Sequence, residues 1–161
     1  VEVPAENRVG PENGAWKMMA EALADERHVQ FPPKRLRRDL EDVIAWVRDA
    51  GLELDPVVRQ TLSELAVGVF EAEMHALRVL EAVEKGRPAA VEAAASKLMQ
   101  SVLCQKIARA ALDFGSPEAI VRGNPVEFLW RQSMWETIGG GTSEIMRSVV
   151  AKQSLGLPGR V

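Results

Sequence analysis

The chain has 161 residues, 47% apolar and 27% charged, with a formal net charge of −3. That length suits one domain with its own core, and the acidic balance argues against a nucleic-acid face, whose sign is a basic patch. No run of 18 apolar residues is present and the N-terminus lacks a signal-peptide layout, so no membrane span and a cytoplasmic location are expected.

Residues 1–9 alternate loosely around Pro4 and predict an edge strand or an extended lead-in. Asn13 is expected to cap a helix from Gly14 to about His28, which Pro32-Pro33 ends. A second helix is predicted over 33–49, closed by Gly51. Asp55-Pro56 joins an N-cap to a proline at the first helical position and opens a long helix to about Val83. Its apolar stripe is Val58, Leu62, Leu65, Val69, Ala72 and Ala76.

Gly86-Arg87-Pro88 separates that helix from one running to about Asp113, with Val91, Ala95, Leu98 and Val102 on one face. The two long helices should form an antiparallel hairpin. Gly115-Ser116-Pro117 and Gly123-Asn124-Pro125 bracket an irregular segment, followed by a helix over 126–137, a glycine turn and a last helix over 142–154. The sum is an all-α, up-down helical bundle with a short extended N-terminal lead-in.

Few constellations in this sequence can carry chemistry. A di-metal bundle needs two inward Glu-x-x-His motifs and none occurs, so no metal site is expected. His28 and His75 read as surface or satisfied side chains, and the single cysteine, Cys104, reads as a buried core thiol. The basic cluster Lys34, Arg35, Arg37 and Arg38 reads as a solvated helix face. No P-loop, dinucleotide fingerprint or Ser/His/Asp set can be assembled.

The glycine run at 139–141 is the remaining feature. Three residues without Cβ let backbone approach a flat or anionic ligand, and Thr142 opens a helix whose first N–H groups favour negative charge. A tight joint between two helices explains the same residues, and the run alone favours that reading.

Its flanks add information. Gly141-Thr142-Ser143-Glu144-Ile145, then Arg147 and Leu155-Gly156-Leu157-Pro158, resemble the C-terminal signature of the acyl-CoA dehydrogenase family. At the other end, residues 1–10 and Asn13-Gly14-Ala15-Trp16-Lys17 resemble the family's junction between its middle β-domain and its C-terminal helical domain. The resemblance implies that residues 1–12 end the β-domain and residues 13–161 form the helical bundle of a longer chain. It implies an FAD-dependent enzyme that desaturates the α,β bond of an acyl-CoA and passes electrons to an electron-accepting flavoprotein. It also implies assembly into dimers or tetramers, and no activity for these residues without the β-domain.

In that family a glutamate removes the α-proton, and most members place it immediately before the signature Gly-Thr. Here that position is Gly140. A minority, the isovaleryl-CoA and long-chain enzymes among them, carry the base in a Glu-Arg pair on the helix after the β-domain. Asp25-Glu26-Arg27 matches that pair, so the resemblance implies Glu26 as base with Arg27 beside it. Gly139 and Gly140 would open room for a branched or bulky acyl group. Gly141, Thr142, Glu144 and Arg48 would contact FAD.

The chain departs from the family pattern at the residues that reach a neighbouring subunit's FAD. The usual Arg-x-x-Phe-Gly is Arg48-Asp49-Ala50-Gly51, the usual glutamine falls near Pro56 or Arg59, and the usual Gly-Gly is reduced to Phe114-Gly115-Ser116-Pro117. The second reading is therefore a non-catalytic or half-site subunit, contributing helices and part of an FAD site to a heteromeric assembly.

Overall fold

The computed structural model describes residues 2–30, 32–115 and 117–158, apart from the side chains at 24, 25, 27–30 and 118. Six α-helices carry most of them: α1 Ala15–Gln30, α2 Pro33–Asp49, α3 Pro56–Glu84, α4 Ala90–Phe114, α5 Pro125–Glu136 and α6 Ser143–Gln153. Short 3₁₀ turns stand at Ala5–Asn7 and Pro117–Ile120.

The lead-in contains no strand among the described residues. A lone strand would leave its N–H and C=O groups without partners, and the chain instead folds back on itself, with Asn7 N–H donating to Pro4 O at 3.0 Å. Asn13 is not the cap expected of it. It takes a left-handed backbone with φ 60°, which asparagine tolerates, and α1 begins two residues later with Met18 N–H donating to Gly14 O at 3.2 Å.

The other ends follow the sequence closely. At the close of α2, Leu52 N–H donates to Val47 O and Gly51 N–H to Arg48 O, both at 3.0 Å, with Gly51 at φ 71°. Gly86 and Arg87 repeat that closure at the end of α3, bonding Val83 O and Ala82 O at 2.9 Å. Asp55 opens α3, its Oδ1 accepting from Val57 N–H at 2.8 Å and Val58 N–H at 3.1 Å.

Leu36, Leu40, Val43 and Val47 form the buried stripe of α2, each contributing about 2 kcal/mol by leaving water. They pack with Val58, Leu65, Val69 and Ala72 of α3 and with Leu103, Cys104 and Ile107 of α4. Cys104 is thus the core thiol its sequence context suggests.

Helix α4 is the hub, touching α1, α2, α3, α5 and α6. Here the expected apolar face is the outer one: Val91, Ala95, Leu98 and Val102 are only half-buried, while Ser96, Lys97, Gln100, Ser101, Leu103, Cys104, Ile107 and five alanines are buried. A helix packed on by five neighbours hides polar residues along with apolar ones, so hydrophobic spacing alone does not find its inward side.

Replacing Asp55 by alanine removes both cap bonds and should cost about 1 kcal/mol, read as a lower denaturant midpoint with an unchanged slope.

Candidate functional site

The glycine turn is built on the buried end of α5. Asn124 starts that helix by accepting from Val126 N–H at 2.9 Å, and Glu136 ends it, 2% exposed. Lys97 Nζ and Ser101 Oγ of α4 each lie 2.9 Å from the Glu136 carbonyl oxygen. The Ser101 hydroxyl is also 2.9 Å from Lys97 O, so it shares one hydrogen between two carbonyls. Arg35 of α2 donates from Nη1 to Glu136 Oε1 at 2.5 Å.

Arg35 serves two further neighbours. Its Nε is 3.5 Å from Asp39 Oδ2, an oxygen with no hydrogen bond, and its Nη2 donates to Cys104 Sγ at 3.4 Å. Burial pushes the Asp39 carboxyl above its usual range, against the pull of Arg35. Burial lowers the Arg35 guanidinium, but the bond and charge of Glu136 outweigh that and leave it raised. Burial, aided by the Glu136 charge, pushes the Cys104 thiol up to about 12.

The basic cluster 34–38 therefore does not lie wholly in solvent. Arg35 points into this knot, and Arg37 binds both carboxylate oxygens of Glu73 at 2.7 Å while standing over the Phe70 ring at 5.6 Å. Helix geometry explains it: Leu36 and Leu40 set the buried side, and Arg35 and Arg37, each about 100° around the helix from Leu36, flank that side with side chains long enough to reach inward.

From Glu136 the chain turns at once. Gly139 N–H donates to Trp135 O at 3.0 Å, Gly141 N–H to Ile138 O at 3.2 Å and Ser143 N–H to Thr137 O at 3.1 Å. Gly140 and Gly141 have φ 68° and 109°, so both need glycine for the backbone they adopt. At Gly139 a Cβ would meet Trp135 Cζ2 at 2.8 Å, so the ring already fills the space that a side chain would take.

Thr142 caps α6, its Oγ1 accepting from Ile145 N–H at 3.3 Å, and buried Met146 seats the helix on α4. Glu144 points outward with Arg147 3.8 Å away; its own N–H, then the Thr142 hydroxyl, hold its carboxyl below the usual range. Exposed Ile138 and Ile145 flank the turn, with Trp135 half-exposed beside them.

The remaining sequence-derived positions lie elsewhere. Glu26 is exposed near the end of α1, and the side chain of Arg27 falls outside the described residues. Helices α1 and α6 share α4 as their support, so Glu26 and the turn are carried on one scaffold. Arg48 is exposed in the last turn of α2, roughly 20 Å along the helix from Arg35 and its bond to the turn's base. One chain does not bring Arg48 to the glycine turn.

Two surfaces bear on a flavin. The turn offers a side-chain-free ridge flanked by apolar groups, which fits a flat ring system. A cleft of about 550 Å³ between α2 and α5 has Trp46, Phe128 and Leu129 on its walls but Asp39, Asp42 and Asp49 along it, which does not fit a pyrophosphate.

Sequence reasoning missed Lys97, Ser101, Arg35 and Glu136 as anchors of the turn. A signal was present in Ala93-Ala94-Ala95-Ser96-Lys97: one lysine among small residues, with a serine four positions on, marks a tightly packed helix that keeps a charge inside.

An all-α domain with a capped glycine turn between its last two helices is the arrangement of the acyl-CoA dehydrogenase family, and this chain belongs to it. Residues 13–155 match the family described as acyl-CoA dehydrogenase, C-terminal domain. Among curated relatives, acyl-CoA dehydrogenase FadE26 of Mycobacterium tuberculosis is 29% identical, over 98% of this chain and 44% of its own length. Among solved structures, the Tcur3481-Tcur3483 steroid ACAD is 30% identical with TM-score 0.84, covering 98% of this chain and 44% of that one. The ChsE4-ChsE5 complex from Mycobacterium tuberculosis is 27% identical with TM-score 0.82, over 98% and 45%. The chain thus spans less than half the length of these relatives.

Arg35→Met should cost about 3 kcal/mol at neutral pH, because it leaves the buried Glu136 carboxylate without its cation. It is read by denaturant unfolding.

Cys104 should resist thiol reagents in the folded chain and react on unfolding. Unfolded, the thiol ionises near 9.0 and folded near 12, so the stability it supplies is complete below pH 9.0 and lost as pH rises toward about 12. Cys104→Ala should flatten that alkaline loss in pH-dependent unfolding.

Proposed function

We propose that this chain is the C-terminal helical domain of an FAD-dependent acyl-CoA dehydrogenase that desaturates the α,β bond of a bulky acyl-CoA thioester. Residues 1–12 would hand over from the β-domain and residues 13–161 form the bundle. The observation that carries the reading is at Gly140: the position that holds the base in most of the resembled family has no side chain here and a φ of 68° that suits glycine, so the base belongs elsewhere.

Glu26 is the candidate in that place, an exposed carboxylate on a helix that rests on the same α4 as the turn. Its carboxylate would take the proton from the acyl α-carbon and become the acid, with Arg27 orienting it. FAD, when bound, supplies the acceptor for the hydride that leaves the β-carbon. Gly141 and Thr142 would present the ridge to the ring system and Glu144 would border it. Gly139 and Gly140 keep side chains away from the acyl group. A steroid acyl group, the class of the 30% identical Tcur3481-Tcur3483 steroid ACAD, fits such a bare turn and is the acyl class proposed here.

A second reading rests on the α2–α5 cleft. With Asp39, Asp42 and Asp49 along it and Arg48 far from the turn, this chain is poorly equipped to complete a neighbour's FAD site. The proposed assembly is therefore heteromeric, a dimer or tetramer in which an unlike chain supplies that part, as the two-chain names of two relatives suggest for those proteins. Its electrons would pass to an electron-accepting flavoprotein, in the cytoplasm.

In the full-length protein, Glu26→Gln should reduce desaturation at least a hundredfold, on the order of a lost general base, while flavin stays bound. Activity within a few-fold of the parent would remove Glu26 as base. Flavin content separates homomer from heteromer: one FAD per pair of unlike chains supports the half-site assembly, and one per copy of this chain alone overturns it.

A further inference from the structure

We propose that Trp135 is the specificity-determining residue of the glycine turn, its indole forming the wall against which a polycyclic acyl group packs. Gly139 shows how closely ring and turn are matched. It is not among the glycines with positive φ, so its backbone would admit a small side chain. The three atoms nearest to a Cβ placed there all belong to the indole: Cζ2 at 2.8 Å, Cε2 at 3.1 Å and Cη2 at 3.2 Å. Position 139 is bare because the ring of Trp135 has taken the room.

The protein holds the ring in that place. Trp135 O accepts from Ile138 N–H at 2.9 Å and from Gly139 N–H at 3.0 Å, so the turn folds back onto the residue that carries the indole. The next residue, Glu136, is fixed by Lys97, Ser101 and Arg35, which sets the direction in which Trp135 leaves α5. One edge of the ring is thus confined by Gly139, yet Trp135 remains 49% exposed, with Ile138 and Ile145 also exposed nearby. Core packing does not account for a large aromatic left half in water. A rigid indole beside side-chain-free backbone selects by shape instead. A fused-ring group can cover the indole without losing chain freedom, whereas a straight chain must freeze its rotors to cover the same area.

This deepens the acyl selectivity of the proposed function and rests on that reading. In the full-length protein, together with any unlike chain that completes its FAD site, Trp135→Leu should lower kcat/KM on a steroid acyl-CoA about tenfold or more, mostly through KM. The same variant should keep its flavin and stay within about twofold of the parent on octanoyl-CoA. Trp135→Phe should retain most of the preference. Gly139→Ala, whose methyl pushes the ring aside, should lower that preference in the parent and add nothing in the Trp135→Leu background. An unchanged ratio between the two thioesters overturns the proposal. So does an equal loss on both, or a loss of flavin, either of which makes Trp135 a prop for the turn. A parent that holds no flavin or oxidises neither thioester overturns the dehydrogenase reading itself, and the proposal with it.

Discussion

The Glu136 carbonyl and carboxylate are the point on which the rest of this bundle depends. The last carbonyls of any helix lack intrahelical donors, and most find water. Here α5 ends inside the protein, where an unpaired carbonyl would carry its full desolvation cost. Lys97 and Ser101 supply the donors from α4, and Arg35 binds the carboxylate from α2. Three helices are thereby fixed to one residue, with two basic and two acidic side chains, Asp39 included, grouped around it. Such a group adds little net stability compared with apolar packing, but it tolerates very few arrangements. Its effect is to specify where α5 stops.

That stop sets the turn. Thr137 O accepts from Ser143 N–H across the three glycines, so the two ends of the loop are tied while Gly140 and Gly141 take backbone that other residues resist. Trp135 fills the place beside Gly139. The underside of the turn is thus held by bonds and packing, and its outer side carries only backbone with Ile138 and Ile145 at the margins. A ligand meeting that surface would find it preformed, which lowers the ordering cost of binding.

Several helix ends were legible in the sequence because each is marked by a residue with one dominant physical role: Asp55 as a cap, Pro33 and Pro56 at first turns, Gly51 in a left-handed closure. The family was legible from the same turn and its flanks. The inward face of α4 was not. Val91, Ala95, Leu98 and Val102 have the right spacing, yet Ser96, Lys97 and Ser101 are buried more deeply. Periodicity ranks residues by how much they avoid water, and a lysine whose ammonium meets a helix-end carbonyl has exchanged water for an equivalent partner. Arg35 was hidden for the same reason, since four basic residues in a row of five look like a solvated face until a carboxylate a hundred positions away is placed beneath one of them. Asn13 misled in a different way, because asparagine serves both as a cap and as a left-handed residue, and only the path of the preceding chain decides between them.

The two glycine readings, helix joint and ligand cradle, are not exclusive. Each glycine has an internal cause, from backbone at 140 and 141 and from Trp135 at 139, so the run would be needed even if nothing bound there. That internal need has a chemical consequence. A turn with glycine at 140 offers no carboxylate at the position most family members use, so on the proposed reading the base must come from another helix carried by α4, and α1 is such a helix. The acidic lining of the α2–α5 cleft works in the same direction at the other end of the molecule: where a phosphate would need cations, Asp42 and Asp49 are present. On the proposed reading the chain is equipped for a flavin at one end and deficient at the other, an asymmetry that identical subunits exchanging cofactor contacts would carry twice and that unlike subunits would avoid.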